Sequence, residues 1–119
     1  MGRVNLAEAF ADIDEPWTPR LAGELNGQHV KLARAEGSFT WHHHAVDELF
    51  LVTGGRLRIE FRDEDDVTLE QGEMVVVPRG VEHRPVAEPE AEMLLFEQSG
   101  TRNTGETENE YTSEELEEV

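Results

Sequence analysis

From residue 28 onward, turn signals break the chain into short strand-like runs, and this spacing constrains the fold more than any other feature. The runs cover 28–35, 38–44, 47–53, 56–62, 67–69, 73–77, 82–86 and 91–98. The breaks are Glu36-Gly37, Gly54-Gly55, Asp63 to Asp66, Gln71-Gly72, Pro78-Arg79-Gly80 and Glu88-Pro89. Many short strands separated by such turns predict an all-β sandwich or barrel. Upstream, Asn5 caps a predicted short helix from Leu6 to Asp12. Residues 14–20 carry two prolines and read as an extended arm, and Leu25-Asn26-Gly27 reads as a turn.

The Gly54-Gly55 pair sets a register. A two-residue glycine loop suits the primed turns of a hairpin, which would place Val52 opposite Leu57, Phe50 opposite Ile59 and Glu48 opposite Phe61. All six residues then share the inner face, while Leu49 and Leu51 look outward. In the first run Val30 and Leu32 alternate inward, which would also turn Arg34 inward unless a bulge intervenes.

Glu48 is thereby a carboxylate on an apolar face, where it needs a cation, hydrogen bonds or a proton. It follows WHHHA (41–45). On an extended chain His42 and His44 share a face and His43 looks the other way. A fourth group comes from GEMVVVPRGVEH (72–83), where a turn precedes His83. Three imidazoles and one carboxylate suit a borderline divalent metal: Mn, Fe, Co, Ni, Zn or Cu. A closed structural zinc site would more often use cysteine, and the chain has none. A solitary buried histidine is more often a hydrogen-bonded core residue than a ligand; four such groups at these spacings favour the metal. The bland alternative is a vestigial site. His43 and His29 read as surface or ordinary strand residues.

These two segments resemble the paired motifs of the cupins. The first reads Gly37-SFTW-His42-His43-His44-AVD-Glu48-LFLVTG-Gly55, and the second Gly72-EMVVV-Pro78-Arg79-Gly80-VE-His83-RPV-Ala87. The first glycine stands one residue closer to His42 than in the family pattern, and Ala87 replaces a final asparagine. The resemblance implies an all-β, cupin-type jelly-roll barrel over 28–100. It is preceded by a helix and arm (1–27) and followed by an acidic tail (101–119). It implies His42, His44, Glu48 and His83 as ligands of a divalent transition metal, and pairing into a homodimer, which suits the outward Leu49 and Leu51. It extends loosely to small cupins described as mannose-6-phosphate-isomerase-like.

Pocket candidates are Phe50, Ile59 and Phe61 on the inner face, with Arg79 and Arg84 beside the Pro-x-Gly turn as possible contacts for an anionic molecule. A general base beyond the ligands is not identifiable. Three functions fit: a metal-dependent enzyme such as an isomerase or dioxygenase acting on a small organic molecule, a small-molecule binding or sensor module, and a scaffold with an incidental metal.

Charge narrows the partners. The net charge is −17 over 119 residues, which argues against nucleic acid and anionic membranes, since both need a basic patch. From Asn103 onward there are seven glutamates and no base; they account for −7, so the rest carries −10. The bases are nine arginines and a single lysine, Lys31. Such acid-rich, lysine-poor surfaces resemble those of halophilic proteins, whose self-repulsion is screened at a Debye length of ~3 Å in ~1 M salt. LFLV (49–52) and MVVV (74–77), the longest apolar stretches, are far too short to cross a bilayer. The N-terminus lacks the apolar core of a secretory signal, so a cytoplasmic protein is expected. Residues 103–112 read as poorly ordered or draped over the surface. A last helix is expected from Ser113 to Glu118, with Thr112 and Glu115 placed as a capping box.

Overall fold

The computed structural model describes residues 2–105, 109–112 and 116–119. The N-terminal helix α1 spans Leu6–Ala11; the Asn5 side chain accepts a hydrogen bond from Glu8 N at 3.0 Å, a side-chain cap on an otherwise orphaned donor. Seven strands follow: β1 (Arg20–Leu25), β2 (Gln28–Ser38), β3 (Glu48–Phe61), β4 (Val67–Glu70), β5 (Met74–Val77), β6 (His83–Gln98) and β7 (Glu117–Glu118). Their order is β4-β3-β6-β2-β1-β7, with β5 also paired to β3. This is an all-β fold of the jelly-roll kind, with one short helix among the described residues. Among the described residues no helix is long and apolar enough to cross a membrane.

The expected turn at Leu25-Asn26-Gly27 is a hairpin between β1 and β2. Leu25 pairs with Gln28, and Asn26 and Gly27 have φ of 51° and 76°, as a type I′ turn requires. The strand β1 was not expected; its residues were assigned to the N-terminal arm.

The expected hairpin at Gly54-Gly55 does not form. β3 runs unbroken from Glu48 to Phe61 and stays antiparallel to β6 along its whole length, from Glu48↔Glu97 to Phe61↔His83. The glycines permit a bend instead of a reversal. Register shifts between Val52 and Gly54 and between Gly55 and Leu57 mark irregularities that curl a sheet. Gly55 has φ of 74°, and a Cβ there would lie 2.3 Å from Glu90 O. The shifts also change parity, so Glu48, Phe50 and Val52 point inward before the bend, and Leu57 and Ile59 after it. The inner face was therefore read correctly from the wrong topology. The runs 82–86 and 91–98 likewise join into one strand, β6.

Two further expectations change. Residues 39–47 form a loop held by one bridge, His42↔His83, rather than a strand over 38–44. In β2 the faces are exchanged: Lys31, Ala33 and Ala35 are buried on the barrel side, while Leu32 packs on the other side against Phe10 and Ile13. Arg34 accordingly points away from the barrel and donates to Ile13 O at 2.9 Å. No bulge within 28–35 is needed: against β6 the register shifts between Glu36 and Gly37, and against β1 the extra residue lies in β1, between Leu21 and Gly23.

The main core joins Trp17, Ala33, Ala35, Phe39, Phe50, Val52, Leu57, Ile59, Leu69, Val77, Ala87, Ala91, Met93 and Leu95. Beyond the barrel, Thr104 is fully buried and Asn103 Nδ2 donates to Tyr111 O at 2.7 Å, so this part of the tail is docked. Of the expected capping box, Glu115 lies outside the described residues, as does the start of the last helix at 113–115; the expected end of that helix is instead a strand, since Glu117 and Glu118 form β7, parallel to β1.

Candidate metal centre

Three elements bring the four predicted ligands together. The bridge at His42 donates His42 N to His83 O at 3.0 Å and His83 N to His42 O at 2.9 Å. This pins the 39–47 loop to the start of β6 and keeps it extended, so His42 and His44 face inward and His43 is exposed. Gly80 N donates to His44 O at 2.7 Å, and Arg79 N to Asp47 Oδ1 at 2.9 Å, which ties the Pro78-Arg79-Gly80 turn to the same loop. Glu48 then opens β3 on the inner face.

One candidate ligand atom from each of His42, His44, Glu48 and His83 lies within 4.8 Å of the others, and all four residues are buried. The His42 and His83 rings are oriented by backbone carbonyls. His42 Nδ1 donates to Thr40 O at 2.9 Å and His83 Nδ1 to Val81 O at 2.8 Å. Such bonds fix the tautomer and leave each Nε2 with a lone pair, the arrangement commonly found behind ligating histidines. His83 Nε2, His44 Nε2 and Glu48 Oε1 are buried without a hydrogen-bond partner. His44 Nε2 stands 3.3 Å and His83 Nε2 3.6 Å from Glu48 Oε1.

Unpartnered buried polar atoms are costly, and here they converge on one point. The electrostatics favour the ligating forms. Burial, with the neighbouring His83 adding to it, lowers His42 to about 4, so its imidazole is neutral. Burial opposes ionisation of Glu48, but the close approach of His44 and His83 outweighs it and holds the carboxyl well below the usual range. Neutral imidazoles and an ionised carboxylate are what a borderline divalent cation binds.

Beside the site lies a cavity of about 30 Å³, room for a water molecule. Its walls include Trp17, Phe39, Phe50 and Met93, with His42 and Glu48 at the metal side. Of the predicted pocket residues, Phe50 lines this cavity. Ile59 is buried deeper in the core and Phe61 packs against the His83 ring; neither lines the cavity. Arg79 is exposed and Arg84 pairs with Glu60 at 2.6 Å beside Trp41, so the two arginines are not among the cavity walls.

Two residues escaped the sequence reading. Lys31 and Glu97 are each 1% exposed and form a buried hydrogen-bonded pair, with Lys31 Nζ donating to Glu97 Oε1 at 2.9 Å on the cavity wall. Burial, and then the adjacent Glu48, pushes Glu97 up to about 9 against the pull of Lys31. The signal was present: Lys31 alternates with Ala33 and Ala35, and Glu97 with Leu95 and Met93, in the same period-two pattern that places Glu48 with Phe50 and Val52.

Comparison with known proteins gives the same fold. A cupin-2 domain containing protein from Shewanella frigidimarina is 43% identical, covering 80% of this chain and 93% of its own, with a TM-score of 0.77. The protein NMB1881 from Neisseria meningitidis is 33% identical over 82% of this chain and all of its own, with a TM-score of 0.76. The uncharacterized protein YdbB of Bacillus subtilis is 35% identical over 67% of this chain and 72% of its own. Residues 28–97 match the cupin domain, a span that holds both motifs and all four converging side chains. A barrel of this topology, two motifs at this spacing and relatives at this identity lead to one assignment: the chain belongs to the cupin family.

Proposed function

We propose that this cupin holds a divalent transition metal through His42, His44, Glu48 and His83, and uses it on a small organic molecule admitted to the adjoining cavity. One observation carries the reading: four buried ligand atoms of suitable chemistry converge within 4.8 Å, and three of them have no other partner. A bound ion of this class supplies Lewis acidity to an oxygen of the substrate. The protein's own part is to keep the His42 imidazole neutral and the Glu48 carboxylate ionised, and to offer apolar walls. Trp17 and Phe39, stacked at 4.8 Å between centroids, suit an uncharged portion of the molecule. The exposed Arg79 and the paired Arg84 give no support to an anionic one.

The small cavity favours a second reading, in which the site binds a ligand without turnover. A drug-sized ligand needs several hundred Å³, more than the cavity offers as it stands. Steady turnover of a substrate, as against retention of an unchanged ligand, separates the two.

Self-association belongs to the same proposal. Met74 is 52% and Val76 48% exposed, and they pair with the half-buried Leu51 and Leu49 on the outer face. A second copy covering this row would remove it from water, and sedimentation of a Val76→Asp variant tests it. A cytoplasmic location is proposed with it.

The decisive experiment is elemental analysis of untagged protein purified anaerobically, beside a His42→Ala, His83→Ala variant. The expected result is near-stoichiometric metal in the first and its loss in the second. Equal trace metal in both would sink the ligand assignment.

A further inference from the structure

The buried charges do not stop at the four candidate ligands. Lys31 is the single lysine of the chain, and it lies in the core instead of on the surface. Its Nζ donates to Glu97 Oε1 at 2.9 Å and to Thr101 O at 3.0 Å. Glu97 stands directly opposite Glu48 in the β3–β6 register. Lys31 pairs with Leu95 in the β2–β6 register, so Glu97 is its diagonal neighbour on the same inner face. Three ionisable side chains from three adjacent strands thus form a row, Lys31–Glu97–Glu48, that ends at the metal centre.

Stability alone does not account for this row. Carboxylates directly opposite on paired strands repel, and a buried ion pair is commonly matched or bettered by well-packed hydrocarbon. The other end of the same barrel has made that choice, with Leu57 and Ile59 fully buried. Glu97 Oε2 also lacks a hydrogen-bond partner, and both residues line the cavity that reaches His42 and Glu48.

We propose that the Lys31–Glu97 pair is a positioning device for the metal centre: Lys31 anchors Glu97, and Glu97 holds the Glu48 carboxylate in its ligating orientation. The inference rests on the metal reading above. Outer groups of this kind typically alter metal affinity by about 10–100-fold.

The test uses Co(II) as probe, with affinity and the visible absorption spectrum of the loaded protein as readouts, and denaturant unfolding of the metal-free protein alongside. Lys31→Met/Glu97→Leu, a paired hydrocarbon replacement, is expected to fold, bind one Co(II) about 10–100-fold more weakly and shift the spectrum. Glu97→Gln keeps an acceptor for Lys31 Nζ and offers an amide donor toward Glu48, and is expected to restore affinity to within a few-fold of wild type. Unchanged affinity and spectrum in the double variant, while His42→Ala abolishes binding, would overturn this proposal and leave the metal reading standing. A wild-type protein that takes up no Co(II) would overturn the metal reading and this one with it.

Discussion

The two halves of β3 make an instructive pair. Both lie against β6, both present alternate residues to the barrel interior, and both bury those inward residues. The half beyond the bend buries Leu57 and Ile59, whose hydrocarbon needs no partner. The half before it buries Glu48 beside three histidines, leaving polar atoms unpaired. One half contributes to folding by removing apolar surface from water. The other shares that gain at Phe50 and Val52 but gives it up at Glu48, keeping a group of ligand atoms together, which the apolar burial of the barrel is enough to tolerate.

The most severe way to break this contrast is at the bend itself. Gly55→Ala would drive a Cβ into Glu90 O in a backbone conformation that disfavours side chains, with an expected loss of about 3 kcal/mol or more. Denaturant unfolding measures it, and a loss below about 1 kcal/mol would mean the bend is not glycine-dependent. Next is Leu57→Ala, which should cost about 2–5 kcal/mol through cavity formation. Its midpoint should still rise on metal addition as much as wild type does, because the ligands are untouched. Glu48→Gln should reverse that pattern, abolishing the metal-induced rise. If Leu57→Ala removed the metal response too, the two halves would not be separable.

A pH series sharpens the comparison with a somewhat smaller effect. His42 titrates near 4 in the folded, metal-free protein and near 6.5 when unfolded. Its folded value is depressed, so between those values the unfolded state binds the extra proton. Stability must fall as pH drops from about 6.5 to 4, by about 3 kcal/mol from this group. A His42→Leu variant should show a correspondingly shallower slope over that window, whereas Leu57→Ala should keep the wild-type slope. Parallel curves for wild type and His42→Leu would show that burial of His42 does not govern its protonation.

The sequence made much of this site legible, for a chemical reason. His42, His44, Glu48 and His83 are residue types whose burial needs compensation, and their spacing on extended backbone placed the first three without knowledge of the fold. The same logic failed at Gly54-Gly55, because glycine permits both a tight turn and a bent strand. Local preference could not choose between them; the continuous partner strand β6 did. It failed again in β2, where Leu32 is expected to face the barrel but packs on the other side against Phe10 of α1 and Ile13. Nothing local distinguishes two apolar environments on opposite sides of a sheet.

What the chain determined by itself was periodicity, turn positions and the identity of the groups that could ligate a cation, since these follow from covalent structure and the alternation of an extended backbone. The tertiary structure decided which strands became neighbours, and so which charges met. Lys31, Glu97 and Glu48 are 17 or more residues apart in sequence, yet they form one row because β2, β6 and β3 lie side by side. Register across a sheet is a long-range pairing, and no property of those three residues alone could have fixed it.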